Sequence, residues 1–305
     1  MPPPCLGDLD GRLVAAADEG GRSKGDPLRD WERLGRRDRL IRARQALADH
    51  AGDVNRFIAL GGERPSGRQD NVEVAERLLA AGRTSEALDW VRRPSRPGLR
   101  AMDMGDVADA SAGADLLDRR RVRVEIWILI ALGQKDEAQD LRWRTFEASL
   151  DDEILHEYVA NLPDFEEFEA LVRAFAYAEA HQHRYRSLGF FLAWPRLELA
   201  AKLVVDHRDS WAGQHYGALV PAAKALEHDH PIAATVLYRA LLDDILTRAR
   251  APAYGHGARY LEKLDDLASG GLTVAGLTSH ESYRGGLRRA HGRKTAFWST
   301  VDVAD

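Results

Sequence analysis

The stretch that decides the fold is LVPAAKALEHDHPIAATVLYRALLDDILTRAR, residues 219–250. It predicts two helices that fold back on each other across a short break. Pro231 suits a first helical position, where its missing N–H has no intrahelical partner to lose. Leu237, Leu241 and Ile245 then repeat at helical spacing among other apolar residues, so more than one face of the second helix is apolar. We therefore expect this hairpin to be the central layer of an all-helical domain. Two neighbouring helices are expected to cover it, at 195–205 and 254–268.

A helix–turn–helix phrase occurs twice before this hairpin, at residues 71–91 and 126–146. In each copy a glycine ends the first helix and a small alanine lets the second helix approach closely. The pairs are Gly82 with Ala87, Gly133 with Ala138 and, more weakly and without the glycine, Asp229 with Ala234. The copies are not spaced at the 34 residues of a regular tetratricopeptide array. The predicted fold class is all-α, with irregular tetratricopeptide-like helical hairpins stacked as an α-solenoid.

Changes in composition divide the chain into three predicted parts. Residues 1–26 are rich in Gly, Asp and Ala and are expected to be a flexible or weakly ordered N-terminus. Residues 27–115 are expected to form N-terminal helical hairpins that end in a long loop, 92–115, rich in Pro, Gly, Ala and Asp. Residues 116–300 are expected to form a C-terminal helical-repeat region, continuous with the N-terminal part.

The overall composition is that of an ordinary soluble protein, with 45% hydrophobic and 30% charged residues and a formal net charge of −5. This charge does not indicate a dedicated nucleic-acid binder. No apolar run approaches the roughly 18 residues that span a bilayer, so we expect no membrane association. Cys5 is the only cysteine and can form neither an internal disulfide nor, alone, a zinc site. We expect the protein to be cytoplasmic.

An apolar stripe follows the phrase LPDFEEFE at residues 162–169. Asp164, with Glu167 three residues on, is close to a capping box, which predicts that a helix begins there. The apolar side chains of the stripe recur at helical spacing and are expected to lie in the core, with a ligand groove as the alternative. They are Phe165, Phe168, Leu171 or Val172, and Phe175.

Catalytic and metal-binding patterns are weak. His181 and His183, like His228 and His230, are two residues apart, and such side chains on a helix face different ways. With no cysteine to complete a tetrahedral site, no metal site is predicted. There is no Gly-x-Ser-x-Gly elbow, and Gly255-x-Gly257 does not follow a strand, so neither a catalytic nucleophile nor a cofactor is predicted.

Asp243 and Asp244 stand in the most apolar part of the chain. One of them could bond to a neighbour such as Tyr216 or Tyr254 in a structural network. The alternative is an enzyme whose site lies between helices in the region 228–256. Its candidate residues are Asp243, Asp244, His228 and His256.

Basic residues stand beside aromatic ones in the C-terminal stretch 284–298. The residues assigned to partner binding are Arg284, Arg288, Arg289, His291, Arg293, Lys294, Phe297 and Trp298. Phe297 and Trp298 could instead fold back and cap the last hydrophobic layer, because a solenoid needs a closed end. A second basic face at residues 33–44 could likewise be a partner surface or a solvated helix with intrahelical ion pairs.

Several phrases of the chain, in order, resemble an uncharacterised bacterial helical-repeat family. They lie at 75–83, 162–169, 194–200, 230–246, 254–261 and 291–298, and the resemblance spans roughly residues 28–300. The closing segment is similar to the helical part of bacterial proteins that carry a SWIM-type zinc finger. That finger needs a Cys-x-Cys and a later Cys-x-His, whereas this chain has only Cys5. The resemblance therefore implies the helical fold without the zinc module or its DNA-linked roles.

The leading functional hypothesis is a non-catalytic helical-repeat scaffold that binds a protein or peptide partner. Stacked hairpins present an extended concave face for such a partner. The alternatives are nucleic-acid binding through the basic segment 284–298, with Phe297 or Trp298 stacking on bases, and the enzyme described above.

Overall fold

The computed structural model describes residues 11–13, 27–64, 69–94, 110–270 and 277–304. Their contacts divide the chain into two compact units, Met1–Arg142 and Trp143–Asp305. The predicted limits at residues 26 and 115 mark changes of composition and do not coincide with this division. Most of the predicted weakly ordered N-terminus, including Cys5, lies outside the described residues.

The described residues contain helices and no strand. In the first unit the helices are α1 (Pro27–His50), α2 (Val54–Gly62), α3 (Asn71–Ala80), α4 (Thr84–Val91) and α5 (Ala110–Ala131), and α6 (Lys135–Ser149) crosses the boundary. The all-α prediction is confirmed for these residues.

Both predicted glycine turns are present in the first unit. Gly82 and Gly133 have φ angles of 74° and 76°, which residues with a Cβ atom rarely adopt. In each turn the next residue's N–H donates to a carbonyl of the preceding helix, Arg83 to Leu78 and Gln134 to Leu129, both at 2.9 Å. Ala87 and Ala138, the small residues of the following helices, are fully buried.

The predicted loop 92–115 is too long at its C-terminal end, because α5 already begins at Ala110. The residues that were assigned to the loop, Ala110–Asp115, are rich in alanine, which has the highest helix propensity. Residues 95–109 of the loop lie outside the described residues.

The second unit contains nine helices among its described residues. They are α7 (Asp152–Val159), α8 (Glu167–Ala180), α9 (Arg184–Ala193), α10 (Leu197–Asp206), α11 (Tyr216–Leu226), α12 (Pro231–Thr247), α13 (Tyr254–Ser269), α14 (His280–His291) and α15 (Thr295–Ala304). Short 3₁₀ turns at Arg208–Ser210 and Gly213–His215 connect α10 to α11, and another at Ala251–Ala253 precedes α13.

Helix α12 is the centre of this unit, as the opening stretch predicts. It packs against α11 and is covered by α10 and α13. Leu237, Leu242 and Leu246 are fully buried, so the apolar character on several faces is satisfied by neighbours. Burying each of these leucine side chains contributes about 1.5–3 kcal/mol, so α12 contributes substantially to the stability of the unit.

The last helix, α15, begins at Thr295 after Gly292 and was not predicted from the sequence. Phe297, Trp298 and Val301 form one buried side of α15, which packs on α13. Within the described residues, no helix is both long and apolar enough to cross a bilayer.

Candidate functional site

The basic C-terminal segment, residues 284–298, covers most of α14, the short turn after it and the first turn of α15. Arg284 forms an ion pair with Asp265 of α13. The guanidinium carbon of Arg288 lies 3.9 Å from the centre of the Trp298 ring, a cation–π distance. Arg289 and Arg293 are exposed, and His291 and Lys294 are half-buried. The segment therefore offers a partner fewer open cations than its sequence suggests.

Phe297 and Trp298 lie in the core, with 0% and 4% of their surface exposed. Phe297 packs edge-on against Tyr254, and the indole N–H of Trp298 donates to the carbonyl oxygen of His291 at 3.0 Å. Both rings therefore belong to the hydrophobic core, as the interpretation that they fold back expected. Neither ring is presented to a base or a partner, so partner binding by the segment rests on its cations and stays a prediction.

The basic face of α1 at residues 33–44 is partly neutralised within the first unit. Arg42 pairs with the buried carboxylate of Asp38 at 3.1 Å, one turn away. Arg64 reaches the same carboxylate at 2.9 Å, and Arg44 lies 3.7 Å from Glu63. Intrahelical and local ion pairs thus account for part of this face, as the structural alternative expected.

The enzyme hypothesis required histidines beside Asp243 and Asp244, and neither His228 nor His256 lines the cleft that these aspartates line. His228 lies before the first turn of α12 and is exposed, whereas the two aspartates lie in its last turns. His256 is also exposed and contacts Arg259. His230 stands at the N-cap of α12 but makes no side-chain capping bond. No three His, Cys, Asp or Glu side chains of the described chain are placed to share a metal ion.

Asp243 and Asp244 instead line a cleft of about 630 Å³, which we call the α12 cleft. Its walls are one face of α12, the segment 208–213 and residues 277–283 at the start of α14. Ligand pockets in proteins typically measure about 300–1,000 Å³. The cleft therefore has the size of a small-molecule site.

Arg239 is the buried charge of this cleft, with 9% of its surface exposed. One terminal nitrogen donates to the carbonyl oxygen of Thr278 at 2.9 Å, and the guanidinium carbon lies 4.4 Å from the centre of the Tyr283 ring. Its Nε–H is buried without a hydrogen-bond partner in the described structure. Burial lowers the pKa of Arg239, against the opposing influence of Tyr283 and Asp243.

Asp243 accepts a hydrogen bond from the Tyr283 hydroxyl at 2.8 Å. The partner predicted for these aspartates, Tyr216 or Tyr254, is therefore wrong. Desolvation in the cleft raises the pKa of Asp243, although the Tyr283 hydrogen bond and the charges of Arg239 and His291 oppose this. Asp244, in contrast, is neutralised by Arg248 at 2.9 Å and Arg250 at 3.8 Å.

The wall opposite Asp243 is held close to α12 by Gly213. A Cβ at this position would lie 2.6 Å from the Cβ of Asp244 and even closer to the carbonyl oxygen of Ala240. The wall is also fixed from behind. Trp211 donates to the carbonyl oxygen of Val204 at 3.0 Å, and the Tyr185 hydroxyl accepts from the Ala212 N–H at 2.9 Å.

A second feature of this unit is an apolar surface on α8, and it corrects the predicted core stripe. Phe165, Phe168 and Val172 are 96%, 75% and 52% exposed. We call these three residues the α8 apolar patch. The helix begins at Glu167 and not near Asp164, so Phe165 falls outside it, with a φ of 77°. The fully buried face of α8 is made of small residues, Ala170, Ala174 and Ala178. Leu171 and Phe175, the other members of the predicted stripe, are partly buried and pack on the core as expected.

Sequence reasoning missed Arg239 and Tyr283 in the cleft. A signal for Arg239 was present, because it is the one basic residue within the apolar run of α12 before Arg248. Its spacing of four from Asp243 also places both on one helical face. Tyr283 gave no comparable signal, since it comes from another helix.

Comparison with known families adds one finding. The sequence model of a family of unknown function, DUF6880, matches residues 14–300. No curated protein and no solved structure gives a significant match.

Proposed function

The chain belongs to this family of unknown function, and we propose that it is a non-catalytic helical scaffold that binds a basic, amphipathic segment of a partner protein through the α8 apolar patch. The observation that carries the proposal is the exposure of Phe168 and Val172, one turn apart on α8, together with Phe165 just before the helix. Large apolar side chains exposed together are typical of interaction sites, whereas isolated ones need no explanation.

The charges beside the patch define the partner. Asp164, Glu166, Glu167 and Glu169, which neighbour Phe165 and Phe168 in the sequence, are all exposed. Arg173, the one basic residue within α8, lies over the Trp143 ring at 3.7 Å and donates to Tyr158. An apolar patch with an acidic fringe favours a segment that carries apolar anchors between lysines or arginines.

The backbone at Phe165 supports the same interpretation. A positive φ at a residue with a bulky side chain costs of order 1–3 kcal/mol. Here the strained residue is also the most exposed large apolar side chain. Neither property stabilises the unit, so we attribute both to presentation of the ring to a partner.

The proposal includes the architecture and compartment expected from the sequence. The glycine turns at Gly82 and Gly133, with their buried alanines, support tetratricopeptide-like hairpins stacked as a solenoid in the first unit. Helical repeats of this kind commonly serve as scaffolds for partner binding. We place the protein in the cytoplasm.

The test uses two labelled, designed helical peptides with the same leucine face. One carries lysines on its polar face and the other glutamates. In fluorescence anisotropy with the full chain, we expect the lysine peptide to bind and the glutamate peptide not to bind. Phe168→Ser should weaken binding about 30-fold, the effect of losing an anchor worth about 2 kcal/mol.

Two further variants separate the patch from general charge attraction. Glu167→Lys combined with Glu169→Lys should also weaken binding of the lysine peptide, because it removes acidic side chains next to the patch. Tyr216→Ser is the matched control, because Tyr216 is another exposed large side chain of this unit. Equal binding by Phe168→Ser and the unchanged protein would contradict the proposal. A concentration-dependent dimer of the full chain that Phe168→Ser abolishes would assign the patch to a second copy instead.

A further inference from the structure

Arg239 is a buried cation that forms no ion pair with a described carboxylate. Its hydrogen bond goes to a neutral carbonyl oxygen, and the charge of Asp243 acts on it from one helical turn away without a hydrogen bond. Buried charges are normally paired, because an unpaired one loses its hydration without compensation. The planar guanidinium suits a carboxylate or phosphate, which accept its parallel N–H groups. Because Arg239 lines an open cleft, a ligand can supply the anion.

Asp243 provides the second charged contact for a ligand in the cleft. It lies one helical turn from Arg239 on the same face of α12, and Cβ atoms at this spacing are about 5–6 Å apart. Tyr283 donates to one oxygen of its carboxylate, and a carboxylate accepts through both oxygens. Asp244 is already neutralised by two arginines. A cationic donor in the cleft would therefore meet Asp243.

Val236 and Ala240 flank Arg239 on α12, and Leu277 lies on the facing wall, so the cleft has a small apolar area beside the guanidinium. Other parts of its lining are charged, with Arg208, Asp209 and Arg248 among them. A doubly charged phosphate would gain Arg239 but would stand close to the Asp243 carboxylate. A ligand with a carboxylate and an ammonium on one carbon satisfies both residues, and an apolar side chain would suit the small apolar area.

We propose that the α12 cleft binds a free α-amino acid with an apolar side chain, its carboxylate on Arg239 and its ammonium on Asp243. This site is separate from the α8 apolar patch and does not depend on the proposed partner. Binding would provide the anion that the buried guanidinium lacks. It would also join α12 to the start of α14 on both sides of the cleft.

The test is calorimetric titration of the full chain with L-leucine and a panel of other apolar amino acids. Isocaproate lacks the ammonium of leucine, isoamylamine lacks its carboxylate, and inorganic phosphate tests for a simple anion. We expect at least one amino acid of the panel to bind and to raise the melting temperature. The matching compounds that lack one charge should bind about 10- to 100-fold more weakly, as expected for losing a hydrogen bond between charged groups.

Variants assign the two charges. Asp243→Asn should weaken binding of the amino acid about 10- to 100-fold, with little effect on binding of isocaproate, which lacks the ammonium. Arg239→Gln should abolish binding of both, and a melting curve checks that it folds. Asp206→Asn, an exposed acid outside the cleft, is the matched control. Because the Asp243 side chain lines the cleft and is partly open to solvent, its variant keeps the test valid even if Arg239→Gln does not fold.

Three results would overturn the proposal. The first is that no amino acid of the panel binds at millimolar concentration. The second is that phosphate binds and the amino acids do not. The third is that Asp243→Asn binds the amino acid as tightly as the unchanged protein.

Discussion

Arg239 and Asp243 lie one turn apart on α12, yet Asp243 accepts its hydrogen bond at 2.8 Å from Tyr283 of α14. Arg239 passes over the Tyr283 ring and donates to the carbonyl oxygen of Thr278, just before the same helix. The two charges of α12 thus hold the start of α14 and do not pair with each other by a hydrogen bond. This arrangement leaves the cleft polar and the guanidinium incompletely satisfied.

Asp243→Asn should change how stability depends on pH. Desolvation raises the pKa of Asp243 in the folded protein, so this state holds the proton more tightly than the unfolded chain does. Stability therefore falls as pH rises from below the ordinary aspartate value of about 3.9 through the raised value, and then levels off. The variant does not lose stability in this way, because asparagine does not ionise. The free energy of unfolding of the variant, relative to the unchanged protein, should rise with pH and reach a plateau. Denaturant titrations across this range check it, and a flat or falling difference would contradict it.

Gly213→Ala should destabilise the second unit by about 1–3 kcal/mol, the usual cost of forcing an extra methyl group into a packed site. The new Cβ would meet Asp244 and the backbone of α12, which cannot move aside as a flexible side chain could. Gly189→Ala is the control, because nothing lies within 4 Å of that position on α9. It should stabilise the protein by about 0.5–1 kcal/mol through helix propensity. Equal effects of the two substitutions in chemical denaturation would refute the close packing of the cleft wall.

Local sequence patterns predicted much of the helical fold because helix turns and buried helix faces depend on residues that are close together in the sequence. The turns at Gly82 and Gly133 need a residue that tolerates positive φ, and the covered faces of α12 follow from its apolar spacing. The first residue of a helix was harder to predict, because several residues that could cap the helix lie within a few positions of each other. Asp164 looked like a cap, but the helix begins at Glu167, and this shift moves Phe165 out of the predicted core.

The candidate sites were harder to predict because they join distant parts of the chain. The Tyr283–Asp243 hydrogen bond connects residues that are 40 positions apart. The clustered bases and aromatics of 284–298 were visible, but only packing decides that Phe297 and Trp298 point inward. Residue type and spacing do not distinguish a ring that caps a core from a ring that meets a partner.

Phe165→Gly should raise stability while it removes peptide binding. Glycine relieves the cost of the left-handed backbone at φ 77°, and we expect a gain of about 1 kcal/mol in the free energy of unfolding. Phe168→Gly is the contrasting variant, since Phe168 lies within α8, where glycine costs up to about 1 kcal/mol. Both variants should fail to bind the lysine peptide. Chemical denaturation and anisotropy on the same samples measure the two effects. A loss of stability in Phe165→Gly would show that its ring is held by the protein.

Phe297→Ala and Arg293→Ala distinguish core from surface within the basic C-terminal segment. Phe297 is fully buried between Tyr254 and Trp298, so truncation should cost about 3–5 kcal/mol. Arg293 is exposed, and its truncation should change the free energy of unfolding by no more than about 0.5 kcal/mol. Denaturant unfolding of the full chain measures both. If Phe297 were instead a recognition residue, its variant would unfold like Arg293→Ala, because an exposed ring contributes little to stability and its loss would appear only in binding.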